Sequence, residues 1–224
     1  MTTKNKNIFL ISITIFACVI MGVVDAIIQP GYIVKSIIKI FMFLLLPILY
    51  SVFDKDTNLK TLFKPQKKGL FISFGFGISV YLIIISAYFL FKNIFDFSSL
   101  TSSLTSTTGV NKDNFIFVAI YISFANSLLE EFFFRGFSFL TLKKNTNRKF
   151  AYIFSSLLFA LYHISMMIGW FNIFVISLAV LGLFVGGLIF DFFNEKYNNI
   201  YLSWIIHMFA NFAINTIGII LFNS

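Results

Sequence analysis

Glu130 and Glu131 lie side by side in the apolar run LLEEFFFRG, and Arg135 follows four residues after the second glutamate. Two further apolar runs each carry a histidine: FALYH ends on His163, and HMFAN runs from His207 to Asn211. An ionisable side chain at bilayer depth is costly and rarely faces lipid, so each needs a partner or a purpose. A desolvated carboxylate is a candidate general base or acid. Together these groups suggest a polar reaction centre within the membrane.

A plainer reading competes at each position. On a regular helix Glu131 and Arg135 are i and i+4 and pair along one face. Glu130 is then turned about 100° away, which leaves it as the unpaired carboxylate and the candidate general base or acid. The Glu131–Arg135 pair alone need only lock helices together. A lone histidine in a span is often a hydrogen bond between helices. These are the only two histidines of the chain, however, and both fall in spans with polar company. That coincidence favours a shared site.

The elements that must position these groups are membrane spans. The chain has 224 residues, 58% hydrophobic and 12% charged, where soluble domains carry about 25% charged residues. An all-α polytopic membrane protein follows, a single integral membrane domain over 1–224 with no linker and no internal repeat. Seven spans are expected: Ile8–Ile28, Ile37–Val52, Leu70–Phe91, Phe115–Leu140, Phe150–Ile168, Phe171–Phe190 and Ile200–Phe222. Pro47 is expected to kink the second. The first apolar run, after Lys4 and Lys6, has no convincing cleavage site and is read as an uncleaved span. At 1.5 Å per residue, Glu130 and Asn211 lie roughly 15–17 Å from their cytoplasmic helix ends, His207 roughly 10 Å and His163 roughly 20 Å, so the four can converge if the fifth span tilts or begins later.

The net charge of +8 is not a nucleic-acid signal, because no long basic face exists for phosphates to track. Lys55, Lys60, Lys64, Lys67 and Lys68 fill one connection, and Lys143, Lys144, Arg148 and Lys149 fill another. With the N-terminus inside, the inner segments hold twelve Lys/Arg; the outer count is four, Lys35, Lys39, Lys92 and Lys112. This bias predicts an N-in, C-out orientation, with the basic connections meeting anionic lipid. The outer connection from Lys92 to Asn114, rich in Ser and Thr, reads as a flexible loop. Gly182 and Gly186 are expected to let helices pack closely. Asp25 and Asp191 stand at span ends, where a carboxylate is cheap. Trp170, Trp204 and Tyr201 fit an aromatic belt. Cys18, the only cysteine, excludes an intrachain disulfide.

The three motifs, Glu130-Glu131-Phe-Phe-Phe-Arg135, Phe159-Ala-Leu-Tyr-His163 and His207-Met-Phe-Ala-Asn211, resemble the CPBP family. These are the CAAX-protease and bacteriocin-processing membrane proteins, once called the Abi family. The resemblance in order and spacing covers roughly residues 115–215, which would be the catalytic core. It implies a helical bundle and intramembrane cleavage of a peptide, leader-peptide or prenylated substrate. On that resemblance Glu130 activates water, His163 orients it or assists proton transfer, and His207 with Asn211 stabilises the oxyanion. Glu131 and Arg135 hold Glu130's helix in place.

Metal content stays open at this point. Glu130, His163 and His207 can supply a zinc shell with water in the fourth position, yet no H-E-x-x-H motif is present. A metal-independent glutamate mechanism fits the same residues. Two other functions use the same features: a non-proteolytic self-immunity or scaffold protein, and a proton-coupled carrier, which an inverted repeat would favour. The Ile-, Phe-, Asn- and Lys-rich composition is in keeping with an AT-rich bacterial source and a cytoplasmic-membrane location.

Overall fold

The computed structural model describes residues 2–54, 57–63, 67, 69–95 and 97–223. Seven helices are long and apolar enough to cross a membrane: α1 Thr3–Ile28, α2 Tyr32–Phe53, α3 Leu70–Phe91, α5 Phe115–Asn145, α6 Arg148–Met167, α7 Ile173–Tyr197 and α8 Tyr201–Asn223. A shorter helix, α4 Ser98–Thr108, lies between α3 and α5. No strand occurs among the described residues. Large apolar side chains cover the outside of the bundle: Ile27, Phe71, Phe117 and Ile173 are all exposed, as lipid-facing side chains are. The protein is an all-α, multi-pass membrane protein.

The interior is aromatic and centred on α5. Every residue from Glu131 to Phe139 is buried. Phe133 stacks on Phe43 of α2 with ring centroids 4.1 Å apart, and Phe134 meets Phe159 of α6 edge-on at 5.3 Å. Phe137 packs against Tyr50 at 5.3 Å. Helices α3 and α8 run against one another, as do α6 and α7.

Several expectations are corrected. The Ser/Thr-rich connection is helical over Ser98–Thr108. Its hydroxyls fold back onto the backbone, Thr105 Oγ1 donating to Thr101 O (2.9 Å), Thr107 Oγ1 to Ser103 O (2.7 Å) and Thr108 Oγ1 to Leu104 O (2.7 Å). Gly109, at φ 73°, ends it in the left-handed region. Helix α2 begins at Tyr32, so Lys35 also stands within the span, and Lys39 lies further from its end than the expected start at Ile37 implied. Its hydrogen-bond ladder widens to π-helical over Phe41–Leu45, just before Pro47, whose missing N–H cannot serve the ladder. Of the first basic connection, Lys55, Lys64 and Lys68 lie outside the described residues.

The expected glycine contact falls on Gly187, the residue that follows the Gly182–Gly186 pair. A Cβ at Gly182 or Gly186 would meet nothing within 4 Å, whereas one at Gly187 would come within 2.9 Å of Ser156 Cβ and 3.0 Å of its Cα. Gly187 is therefore the position that lets α7 approach α6. Trp204 is held by α5, its Nε1 donating to Phe124 O (3.1 Å) and Ser127 Oγ (3.0 Å).

Candidate functional site

Helix α5 carries both glutamates at a change of backbone pitch. It is π-helical over Ile122–Asn126 and again over Glu131–Phe139, and such widened turns recur at functional sites. Glu130, the last residue of the intervening α-helical turn, is only 2% exposed. Its two oxygens have different surroundings. Oε1 accepts from the Lys39 ammonium of α2 and from Asn126 Nδ2 (3.1 Å). Lys39 Nζ also donates to Asn126 Oδ1 (2.6 Å). Oε2 faces His207 Nε2 at 3.6 Å and His163 Nε2 at 3.9 Å.

Glu130 is thus not the unpaired carboxylate that the sequence suggests. Lys39 supplies its counter-charge from another helix, a partner that local spacing could not show. Asn126, one turn before Glu130, is the second group that was missed. The one available signal was a lysine inside an otherwise apolar run.

The imidazoles are oriented by the nitrogens pointing away from Glu130. His163 Nδ1 lies 2.7 Å from Phe159 O. A carbonyl only accepts, so Nδ1 carries the hydrogen and Nε2 of the neutral ring offers a lone pair. His207 Nδ1 lies 2.9 Å from Glu131 Oε1, and the carboxylate imposes the same tautomer. Phe159 serves both rings and the cation below them. It meets His163 edge-on at 4.6 Å and His207 at 5.8 Å, and Arg135 Cζ lies 4.0 Å from its ring centroid.

Below this lies a second, wholly buried layer. Arg135 Nε is 3.6 Å from Glu131 Oε2 and 3.7 Å from Asp191 Oδ1. None of the three guanidinium nitrogens makes a hydrogen bond among the described residues. The charge is balanced by the two carboxylates and by the faces of Phe159 and Phe190, the latter 5.0 Å away. Asp191 is consequently no cheap interfacial carboxylate: it is fully buried and accepts from Ser155 Oγ (3.2 Å) and Ser156 Oγ (3.0 Å). Asp25 is corrected in the same way. Its carboxylate is buried and pairs with Lys35 at 2.5 Å, beside a small cleft lined in part by Thr107, Ser165 and Trp170.

Glu130, His163 and His207 therefore come together, with Glu131 and Arg135 directly beneath. Asn211 is placed differently. Its Nδ2 donates to Ile122 O (3.2 Å), upstream of Glu130 on α5. Asn215, a further turn along α8, donates to Ala119 O (3.1 Å) and Ser123 Oγ (2.9 Å). His207, Asn211 and Asn215 thus form a polar stripe that fastens α8 to α5.

The residues do not fit a bound metal ion. Glu130 Oε1 already holds an ammonium and an amide, so a dication at Oε2 would stand close to the Lys39 charge. Among the described residues no three His, Cys, Asp or Glu side chains are arranged to hold a metal.

Residues 112–213 match the family described as Type II CAAX prenyl endopeptidase Rce1-like. This part of the chain is a CAAX-protease-like domain. It contains Glu130, Glu131, Arg135, His163, His207 and Asn211, whereas Lys39 of α2 lies outside it. No curated protein matches the chain, and no solved structure does.

Proposed function

We propose that this protein is an intramembrane endopeptidase that cleaves a peptide, leader-peptide or prenylated-protein substrate with water activated by Glu130. The observation that carries the reading is the approach of Glu130 Oε2 to two Nε2 atoms at 3.6 and 3.9 Å, both rings being fixed from behind. These separations are too long for direct hydrogen bonds, yet a water can bridge Glu130 Oε2 to either Nε2 with hydrogen bonds of about 2.8 Å. The CAAX-protease-like match over residues 112–213 supports the same chemistry.

In this mechanism the water gives one proton to Glu130 Oε2 as its oxygen bonds to the scissile carbonyl carbon. The carbonyl π electrons move onto oxygen, giving a tetrahedral oxyanion. The water's second hydrogen stays on the attacking oxygen. One imidazole Nε2, in the assigned tautomer, accepts it throughout the addition, and this aligns the water. Glu130 then returns its proton to the amide nitrogen as the C–N bond breaks, leaving a new carboxyl group and a free amine. Asn211 keeps α8, and with it His207, in register with α5.

The test is cleavage of fluorogenic peptides by purified protein in nanodiscs. Glu130→Gln is expected to reduce turnover by about 10²–10⁴-fold in protein that still folds, with a lowered melt because the buried Lys39 loses its counter-charge. Unchanged turnover in that variant would end the glutamate-base reading. The non-proteolytic scaffold reading is favoured by one observation, the nearly complete burial of Glu130. It requires Glu130→Gln to leave function intact.

A further inference from the structure

We infer that Lys39 is a positioning residue for the reaction just proposed, acting through Glu130 from outside the CAAX-protease-like domain; the inference rests on the proteolytic reading. Lys39 is 4% exposed, and a lysine is almost never buried so deeply unless paired. Its ammonium contacts only one oxygen of Glu130, Oε1, and the same nitrogen reaches Asn126 Oδ1 at 2.6 Å. Asn126 closes the triangle by donating to that same Oε1 at 3.1 Å. Two polar groups from two helices thus fix the rotation of one carboxylate. The result is directional: with Oε1 engaged, Oε2 is the oxygen presented to His163 and His207.

The surroundings of Lys39 are suited to holding the ammonium still. Its Nζ lies 5.1 Å from the Tyr162 ring centroid and 5.5 Å from that of Phe43, where a desolvated cation is attracted to the ring faces. Phe43 is itself stacked on Phe133 of α5, so the position of α2 is fixed against the helix that carries Glu130. The charge inventory points the same way. Among the described side chains in mutual contact, the lysine and arginine cations opposing Glu130, Glu131 and Asp191 are Lys39 and Arg135, and Arg135 is engaged by the lower two carboxylates. Lys39 serves the upper one.

The experiment compares Lys39→Ala, Lys39→Gln and Lys39→Arg with wild type and Glu130→Gln in nanodiscs, each with its thermal melt. Loss of orientation at a reacting group costs on the order of 100-fold. Lys39→Ala is therefore expected to lose about that much in kcat with KM changed less than about three-fold. Propylammonium added to Lys39→Ala is expected to restore at least about ten-fold of the loss, and to restore nothing when Glu130→Gln is also present. Lys39→Arg, which keeps the charge, is expected to lie between wild type and Lys39→Ala. Lys39→Gln keeps an N–H donor without the charge and covers the case in which the alanine variant does not fold; it is expected to be as impaired as Lys39→Ala.

If Lys39→Ala or Lys39→Gln turns over like wild type while Glu130→Gln is inactive, the role of Lys39 is overturned and the proteolytic reading stands. If KM rises while kcat holds, Lys39 binds substrate and the positioning role is overturned. If Glu130→Gln itself turns over like wild type, the proteolytic reading fails and the inference falls with it.

Discussion

Arg135 Nε lies 3.7 Å from Asp191 Oδ1, and neither side chain has exposed surface. Because Ser155 and Ser156 donate to the same carboxylate, one aspartate ties α5, α6 and α7 together. Removing one partner of a buried ion pair leaves the other charge uncompensated, which costs about 3–5 kcal/mol. Glu131 still faces the guanidinium, so Asp191→Ala is expected at the lower end, about 3 kcal/mol. Asp191→Asn should cost less, since its amide oxygen still accepts from the serines. Denaturant or thermal melts in detergent micelles check both, and a melt of Asp191→Ala equal to wild type would refute the account.

Helix approach at Gly187 gives a second expectation. Its added Cβ would lie 3.0 Å from the Ser156 backbone, so Gly187→Ala must push α6 and α7 apart. Overpacking of this kind costs about 1–3 kcal/mol, and here it also stretches the serine bonds to Asp191. Gly182→Ala, with open space around its Cβ, should stay within about 0.5 kcal/mol of wild type. Equal melts for the two variants would show that Gly187 has no such role.

Glu131 acts on the upper layer through His207. Its Oε1 fixes the tautomer by accepting from Nδ1. In Glu131→Gln the side-chain carbonyl can still accept that hydrogen, whereas Glu131→Ala frees the ring. The glutamine variant is therefore expected to retain about ten-fold more turnover than the alanine variant, a gap within the range of a general acid–base contribution. Steady-state peptide cleavage decides it; the reverse order would contradict the assigned tautomer.

Chelation should have little effect. Because the ammonium of Lys39 already neutralises Glu130, treatment with EDTA or phenanthroline is expected to change turnover by less than about two-fold, as a glutamate-and-water mechanism predicts. Loss of activity restored by added zinc would require a different arrangement of these side chains.

Much of the fold could be read from the chain because long apolar runs must become helices when no water is available to the backbone. All seven expected spans coincide with membrane-length helices, and α3 matches at both ends. Helix α5 runs on to Asn145 because Lys143 and Lys144 end the apolar composition without ending the hydrogen-bond ladder. The adjacency of Glu130, His163 and His207 was legible from their spacing on three spans. Lys39 was not, since its partner is remote in sequence and a lysine near the end of an apolar run reads as a flanking charge. Asp25 and Asp191 were misplaced for the same reason. Their cost depends on which helices cover them, and that is a property of packing rather than of position along a span.

The widened turn over Glu131–Phe139 bears on any attempt to transplant this site. Grafting the six residues from Glu130 to Arg135 onto an ordinary helix would copy the letters and lose the directions, since a regular turn advances about 100° per residue. A designer borrowing the motif would have to borrow the stretched backbone with it.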